Sequence, residues 1–189
     1  MIRPLLDPSA GPGAGVAGAE TAAAGRWVID ADASSLRVSV TIGFVVTVTG
    51  RFTDVQGAFD LTDDRTGSTI RVTVQSDSLT SGNSHWDTVL VNAGVVDVAA
   101  NPTLCFASTG IRTGRDGWLL TGLLTTAREV LPVQFDLRCV EEQADRVRFR
   151  ATGAISAKDA VRLLSQPGFE RLIGKNLKID LLVEATPAR

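Results

Sequence analysis

The stretch LRVSVTIGFVVTVTGRF (residues 36–52) alternates. Leu36, Val38, Val40, Ile42, Phe44, Val46 and Val48 share one parity, while Arg37, Ser39, Thr41, Thr47 and Thr49 take the other; Val45 breaks the rule. A period of two is that of a strand with one apolar and one wet face. Gly43 lies mid-run, where a bulge or sharp bend is expected. The stretch therefore reads as two strands or as one long bent strand. It is not a membrane-spanning helix, which needs about 20 consecutive apolar residues. Arg37 and Arg51 bracket only thirteen, interrupted by Thr41, Thr47 and Thr49.

The same period recurs downstream. Ile70, Val72 and Val74 alternate with Arg71, Thr73 and Gln75. Leu104 and Phe106 alternate with Thr103, Cys105 and Ala107. A run from Trp118 through Leu120 to Leu124 follows. Val133, Phe135, Leu137 and Cys139 come next, then Val147, Phe149, Ala151 and Ile155. Leu177, Ile179, Leu181 and Val183 close the series. Short polar segments at 63–67, 113–117 and 141–145 read as hairpin turns. Residues 83–101 lack alternation and read as a long excursion with a short helix near Trp86–Leu90. Helical spacing returns over 157–174 until Pro167 and Gly168 break it. The expected fold is all-β: an antiparallel up-and-down barrel of about eight strands, with one or two short helices in long connections. Long strands joined by short turns favour a barrel over a sandwich. An eight-stranded barrel either holds only its own side chains or encloses one small ligand.

Composition narrows the function. Of 189 residues, Lys and Arg number 19 and Asp and Glu 21, giving a net charge of −2 with no basic run. Nucleic acid is therefore not an expected partner. Cys105 and Cys139 form no metal-ligand spacing and read as free thiols of a reducing compartment. Residues 1–25 are rich in Ala, Gly and Pro, and their prolines and Asp7 interrupt any signal-peptide core. They read as a flexible tail ahead of a single domain over 26–189, and the expected location is cytoplasmic. His85 is the only histidine. Beside Asp87, on a two-residue spacing, it does not make a catalytic pair, and Asp87 is expected to cap a turn or meet a cation. No convergent catalytic cluster is visible, no cofactor is expected, and the chain reads as a non-enzyme.

The ordered series of short motifs resembles the YceI-like family. Ser78, Leu79, Asn83, Asp87, Leu90, Asp97, Pro102, Phe106 and Ser108 fall without a gap on its Ser-Ile-x-Thr-x-Asn, Arg-Asp-x-x-Leu, Phe-Phe-Asp and Pro-x-Ile-x-Phe-x-Ser pattern. WVID (27–30) with SSLRVSV (34–40), VTGRFTDVQGAF (48–59), LTGLLT (120–125) and FRATGAIS (149–156) resemble its other strands. The resemblance spans 26 to about 185. It implies a lipocalin-like barrel around an elongated apolar tunnel that binds a polyisoprenoid chain, such as a quinone tail or a prenyl phosphate derivative. The implied lining is Val38, Val40, Phe44, Phe52, Phe59, Val72, Val74, Leu90, Phe106, Leu120, Phe135 and Phe149. The chain departs from the family pattern at Ala33, where His is usual, and at Ala127-Arg128, where His-Gly is usual. It departs again at Trp86, at Val95-Val96 and over 156–161. A filled barrel used as a protein-interaction or stress-associated subunit is the alternative, with Val45 and Leu182 marking a homodimer or partner surface; a hydrolase or isomerase on the barrel scaffold ranks below it.

Overall fold

The stretch at 36–52 folds back on itself, and there the sheet also exchanges neighbours. The computed structural model describes residues 22–42, 46–85, 87–88, 97–164 and 173–188. Strand β1 (Gly25–Ile42) pairs antiparallel with β2 (Val46–Phe52), placing Leu36 opposite Phe52, Val38 opposite Gly50 and Val40 opposite Val48. Of the two readings of the stretch, two strands is the correct one. The polar parity meets outside: Ser39 and Thr49 share a hydroxyl hydrogen bond of 2.9 Å. Lower on β1, strand β3 (Val55–Leu61) takes the place of β2, with Phe59 opposite Trp27.

Then follow β4 (Thr69–Gln75), the two-residue β5 (Leu79–Thr80) paired to β2, β6 (Thr103–Thr113), β7 (Trp118–Thr125), β8 (Val130–Glu142), β9 (Val147–Ser156), helix α1 (Ala157–Leu164) and β10 (Ile173–Pro187). Strands β1, β3, β4, β6, β7, β8, β9 and β10 form an eight-membered antiparallel ring, closed by β1 against β10. Apart from β2, which continues into β3, and the two-residue β5, ring neighbours are chain neighbours, so this is the up-and-down, lipocalin-like barrel that the alternation predicts. Closure gives each ring strand a partner on both sides, which an open sheet denies its edges.

The three expected turns all lie at one end, termed the base. The β3–β4 turn is a short 3₁₀ segment, Arg65–Gly67, whose Thr66 amide donates to the Asp64 carboxylate at 3.0 Å. In the β6–β7 turn the Gly114 amide donates to the Gly117 carbonyl at 2.8 Å, and Gly117 has φ +149°. A side chain there would also lie 2.3 Å from the Leu137 carbonyl oxygen, so only glycine fits. The opposite, upper end carries the β7–β8 turn, α1 and the excursion after β5. Ser156 caps α1, accepting from the Asp159 amide at 3.1 Å and donating to the Asp159 carboxylate at 2.6 Å. The helix expected over 157–174 runs to Leu164; residues 165–172 lie outside the described ones. Of the helix expected near Trp86–Leu90, Ser84, His85, Asp87 and Thr88 are helical, and Trp86 and Leu90 lie outside the described residues.

The base has its own buried cluster. Trp27 is 2% exposed, and Val147 and Ala185 are fully buried, packed with Ala22, Phe59 and Leu61. Ala22 is buried although composition assigns it to the tail, because two side chains hydrogen-bond its backbone, as described below. Among the described residues no helix is long and apolar enough to cross a membrane.

Candidate functional site

A cavity of about 160 Å³ lies within the ring. All eight ring strands line it, from Ile155 and Leu177 near the upper end to Leu61, Arg65 and Trp118 near the base. Spread over that length, the space is narrow. Its wall is almost wholly apolar because each strand turns its apolar parity inward.

Of the expected lining, Val38, Phe52, Phe59, Val72, Val74, Phe106, Leu120, Phe135 and Phe149 border this cavity. Phe44 and Leu90 lie outside the described residues. Val40 has the inward parity and is half-buried, but it does not border the cavity. Its part of the β1–β2 hairpin projects past β5, which pairs only with Arg51 and Phe52. Many further lining residues, such as Ile70, Leu104, Leu137 and Leu181, were legible from parity alone. Arg65, Ser34, Ser35 and Ser68 were not. Ser34 sits where β1 slips against β10 between Asp30 and Ser35. Its hydroxyl replaces a ladder group there, donating to the Glu184 carbonyl at 3.3 Å and accepting from the Glu184 amide at 3.0 Å.

Aromatic rings take up much of the interior. Phe106 meets Phe135 edge to face with centroids 5.7 Å apart, and Phe59 meets Phe149 at 5.8 Å. Two glycines allow the first pair to lie against the wall. A methyl at Gly122 would sit 2.4 Å from the Phe106 ring, and one at Gly153 would sit 2.7 Å from the Phe135 ring. The rings occupy the notches that side chains at those positions would fill.

Charges are mostly outside, in cross-strand ladders. Arg150 grips Asp180 through both carboxylate oxygens, at 2.9 and 2.7 Å, and these hydrogen bonds hold the Asp180 carboxyl below the usual range. Glu184 is buried on the outer face beneath Arg148, which hydrogen-bonds it through Nε at 2.9 Å. Arg65 is the exception to the outward rule. It reaches from the base turn to Glu142, with Cys139 close by. Among the described residues Arg65 is the ionisable side chain that borders the cavity, and the thiol near it is ill-suited to nucleophilic chemistry. Burial, then the Glu142 carboxylate, pushes the Cys139 thiol up, away from the reactive thiolate. Cys105 is exposed on the outer face, and neither thiol is in a disulfide.

The residues of the family pattern serve local structure. Asp87 accepts from the Ser81 amide and hydroxyl, each at 2.6 Å, and from the Thr80 hydroxyl at 2.7 Å, so it caps the turn entering the excursion. Those bonds, Ser81 first, lower its carboxyl. His85 is exposed. Asp97 meets Arg128 at 2.7 Å, tying the end of the excursion to the β7–β8 turn. Among the described residues no group of His, Cys, Asp and Glu is placed to hold a metal.

The profile of the YceI-like domain matches residues 27–185, almost the whole barrel. The chain belongs to the YceI-like family. A UPF0312 protein of Azotobacter vinelandii is 26% identical over 187 residues, covering 94% of each chain. A UPF0312 protein of Pectobacterium carotovorum subsp. carotovorum is 29% identical over 117 residues, and the match spans 58% of this chain and 60% of that relative. Among solved structures, Burkholderia cenocepacia BcnA superposes with a TM-score of 0.72 at 15% identity, covering 84% of this chain and 99% of BcnA. A polyisoprenoid binding domain from Saccharophagus degradans, implicated in plant cell wall breakdown, superposes with a TM-score of 0.62 at 16% identity, covering 86% and 98%. At these identities the likeness is one of fold. As a YceI-like barrel, the chain keeps the apolar interior.

Proposed function

We propose that this YceI-like barrel binds and carries a long apolar lipid, an isoprenoid or polyprenyl chain or a quinone tail, and does no chemistry on it. One observation carries the reading: a lumen bordered by every strand of the ring, with apolar side chains along nearly all of its length. Such a wall offers a guest burial but little to hydrogen-bond. A buried five-carbon unit gains about 4 kcal/mol at ~0.8 per carbon. About five such units would already reach the affinity ceiling near −18 to −21 kcal/mol. Ordering a flexible chain offsets part of that gain. Length, rather than polar contacts, is then the natural basis of selection. The polyisoprenoid binding domain of Saccharophagus degradans, similar in fold, supports the choice of guest. The unpaired cysteines support a reducing, cytoplasmic setting.

The volume favours a second reading. Apolar cavities of roughly 150 Å³ admit a benzene-sized guest, whereas pockets for larger ligands span about 300–1,000 Å³. At about 160 Å³ the lumen admits a long chain only if rings such as Phe106 and Phe135 swing aside. If they stay, the barrel is a filled scaffold for protein contacts. Leu182 does not mark such a surface, being half-buried, and Val45 lies outside the described residues. Exposed Val28, Leu123, Val130 and Val140 would serve instead. Mass spectrometry of an organic extract of the protein, purified without detergent from its own host, separates the two. A stoichiometric prenyl lipid of defined length supports carriage. An extract without lipid, together with no uptake of added prenyl chains, supports the filled scaffold.

A further inference from the structure

The base of the barrel is closed by a polar clamp on the backbone of Ala22. Around the eight-membered ring, β3 and β8 are four places apart in either direction, and so face each other across the lumen. The turn after β3 carries Arg65, and the end of β8 carries Glu142. Their side chains meet at 2.5 Å, with exposures of 19% and 24%. Both also hold the chain that crosses beneath. Arg65 Nη2 donates to the Ala22 carbonyl at 3.0 Å, and Glu142 Oε1 accepts from the Ala22 amide at 3.2 Å. Arg65 Nη1 donates to the Thr62 carbonyl at 2.7 Å, which fixes the guanidinium in its own turn. One residue on, the Trp27 indole donates to the Ala23 carbonyl at 3.1 Å. Arg65 borders the lumen, so this clamp is its end wall.

An ion pair so placed adds little net stability, because its desolvation offsets much of the attraction. Its geometric effect is larger. It bridges the full width of the ring where an apolar side chain from either turn would leave a gap, and it fixes a backbone segment across that gap. We propose that Arg65, Glu142 and Ala22 form the stop that closes the lumen and sets the greatest chain length the barrel accepts. The closure stands on the geometry alone; the length limit rests on the lipid-binding reading.

Cys139 reports on the closure directly. Its thiol lies 3.8 Å from Glu142 Oε2 and 3.5 Å from the Glu141 carbonyl, half-buried behind the clamp. The test follows its alkylation by N-ethylmaleimide in the full-length chain carrying Cys105→Ser. Removing the Arg65 cation by itself raises the thiol pKa and slows the reaction. Arg65→Met should nevertheless accelerate it about tenfold through exposure. Glu142→Gln keeps the shape of the clamp, and loss of the carboxylate by itself lowers the thiol pKa, so it should react faster than the parent through both charge and exposure. Arg138→Met, which breaks the exposed Arg138–Asp116 pair of the neighbouring turn, should have no effect. A rate in Arg65→Met equal to the parent's or slower overturns the closure; if that variant does not fold, a parent-like rate in Glu142→Gln does so. The second measurement is the ratio of solanesol to farnesol affinity, which should rise about tenfold in Arg65→Met. An unchanged ratio, with the thiol accelerated, overturns the length limit alone. A parent that takes up neither alcohol overturns lipid binding, and the thiol rate still decides the closure.

Discussion

The two ends of this barrel are built from the same alternating pattern, yet they are held differently. At the base, contacts join residues far apart in sequence: Arg65 with Glu142, Ala22 with Glu142, Trp27 with Phe59 and Pro187. At the upper end, the hydroxyl pairs of the β1–β2 hairpin are local, Ser39 with Thr49 and Thr41 with Thr47; β10 flanks its β1 arm, but its β2 arm has only the two residues of β5 beside it. A strand's apolar face is worth what its neighbours make of it. The base is tied by long-range side-chain contacts, whereas the β2 arm of the upper hairpin has few partners.

The widest separation between the two ends should appear in stability. Trp27→Ala removes a nearly buried indole from the base and should cost about 3–5 kcal/mol. Val48→Ala, in the half-buried upper hairpin, should cost about 1 kcal/mol or less. Denaturant midpoints at unchanged slope check both, and equal losses would erase the contrast. Uptake should discriminate inside from outside with similar force. Val74→Asp sets a carboxylate in the apolar lumen and should weaken prenyl-chain binding by more than about a hundredfold. Arg71→Ser, on the adjacent outward parity, should leave binding unchanged. Parent-like titrations for both variants would end the idea of an interior site.

Glycines sharpen the comparison at smaller scale. In mid-barrel, a methyl at Gly122 meets the Phe106 ring at 2.4 Å and the Ala107 carbonyl at 2.6 Å. Gly122→Ala should therefore cost about 1–3 kcal/mol, read from the thermal midpoint. At Gly50, in the hairpin, the nearest atom is the end of the flexible Leu79 side chain at 2.7 Å. Gly50→Ala should cost less, because that side chain can turn away. The smallest effect is in acid. The Asp87 carboxyl lies below its ordinary value through the Ser81 and Thr80 hydrogen bonds. Its stabilisation is complete above the usual carboxylate range and is lost as pH falls through the lowered value. Asp87→Asn should flatten that part of the acid-unfolding curve and leave the rest. An unchanged curve would remove Asp87 from the set of groups that hold the excursion.

Parity made most of the wall legible. Val72, Val74, Phe106, Phe135 and Phe149 could be assigned to the lumen because a period of two leaves each side chain only two directions. Arg65 could not be found that way. It lies in a turn, where no period applies, and its partner is 77 residues away. Val40 has the inward parity and does not border the cavity, although Leu177, its partner on β10, does.

By itself the sequence determined that strands alternate, which face of each is apolar, and that short turns bring successive strands side by side. These are local properties, written within a few residues. Only the tertiary structure decided that β1 meets β10 and closes the ring, that the phenylalanines lie back into glycine notches, and that Arg65 and Glu142 seal one end over Ala22. Each of those depends on which distant residues come to share a space, and on how much space is left when they do.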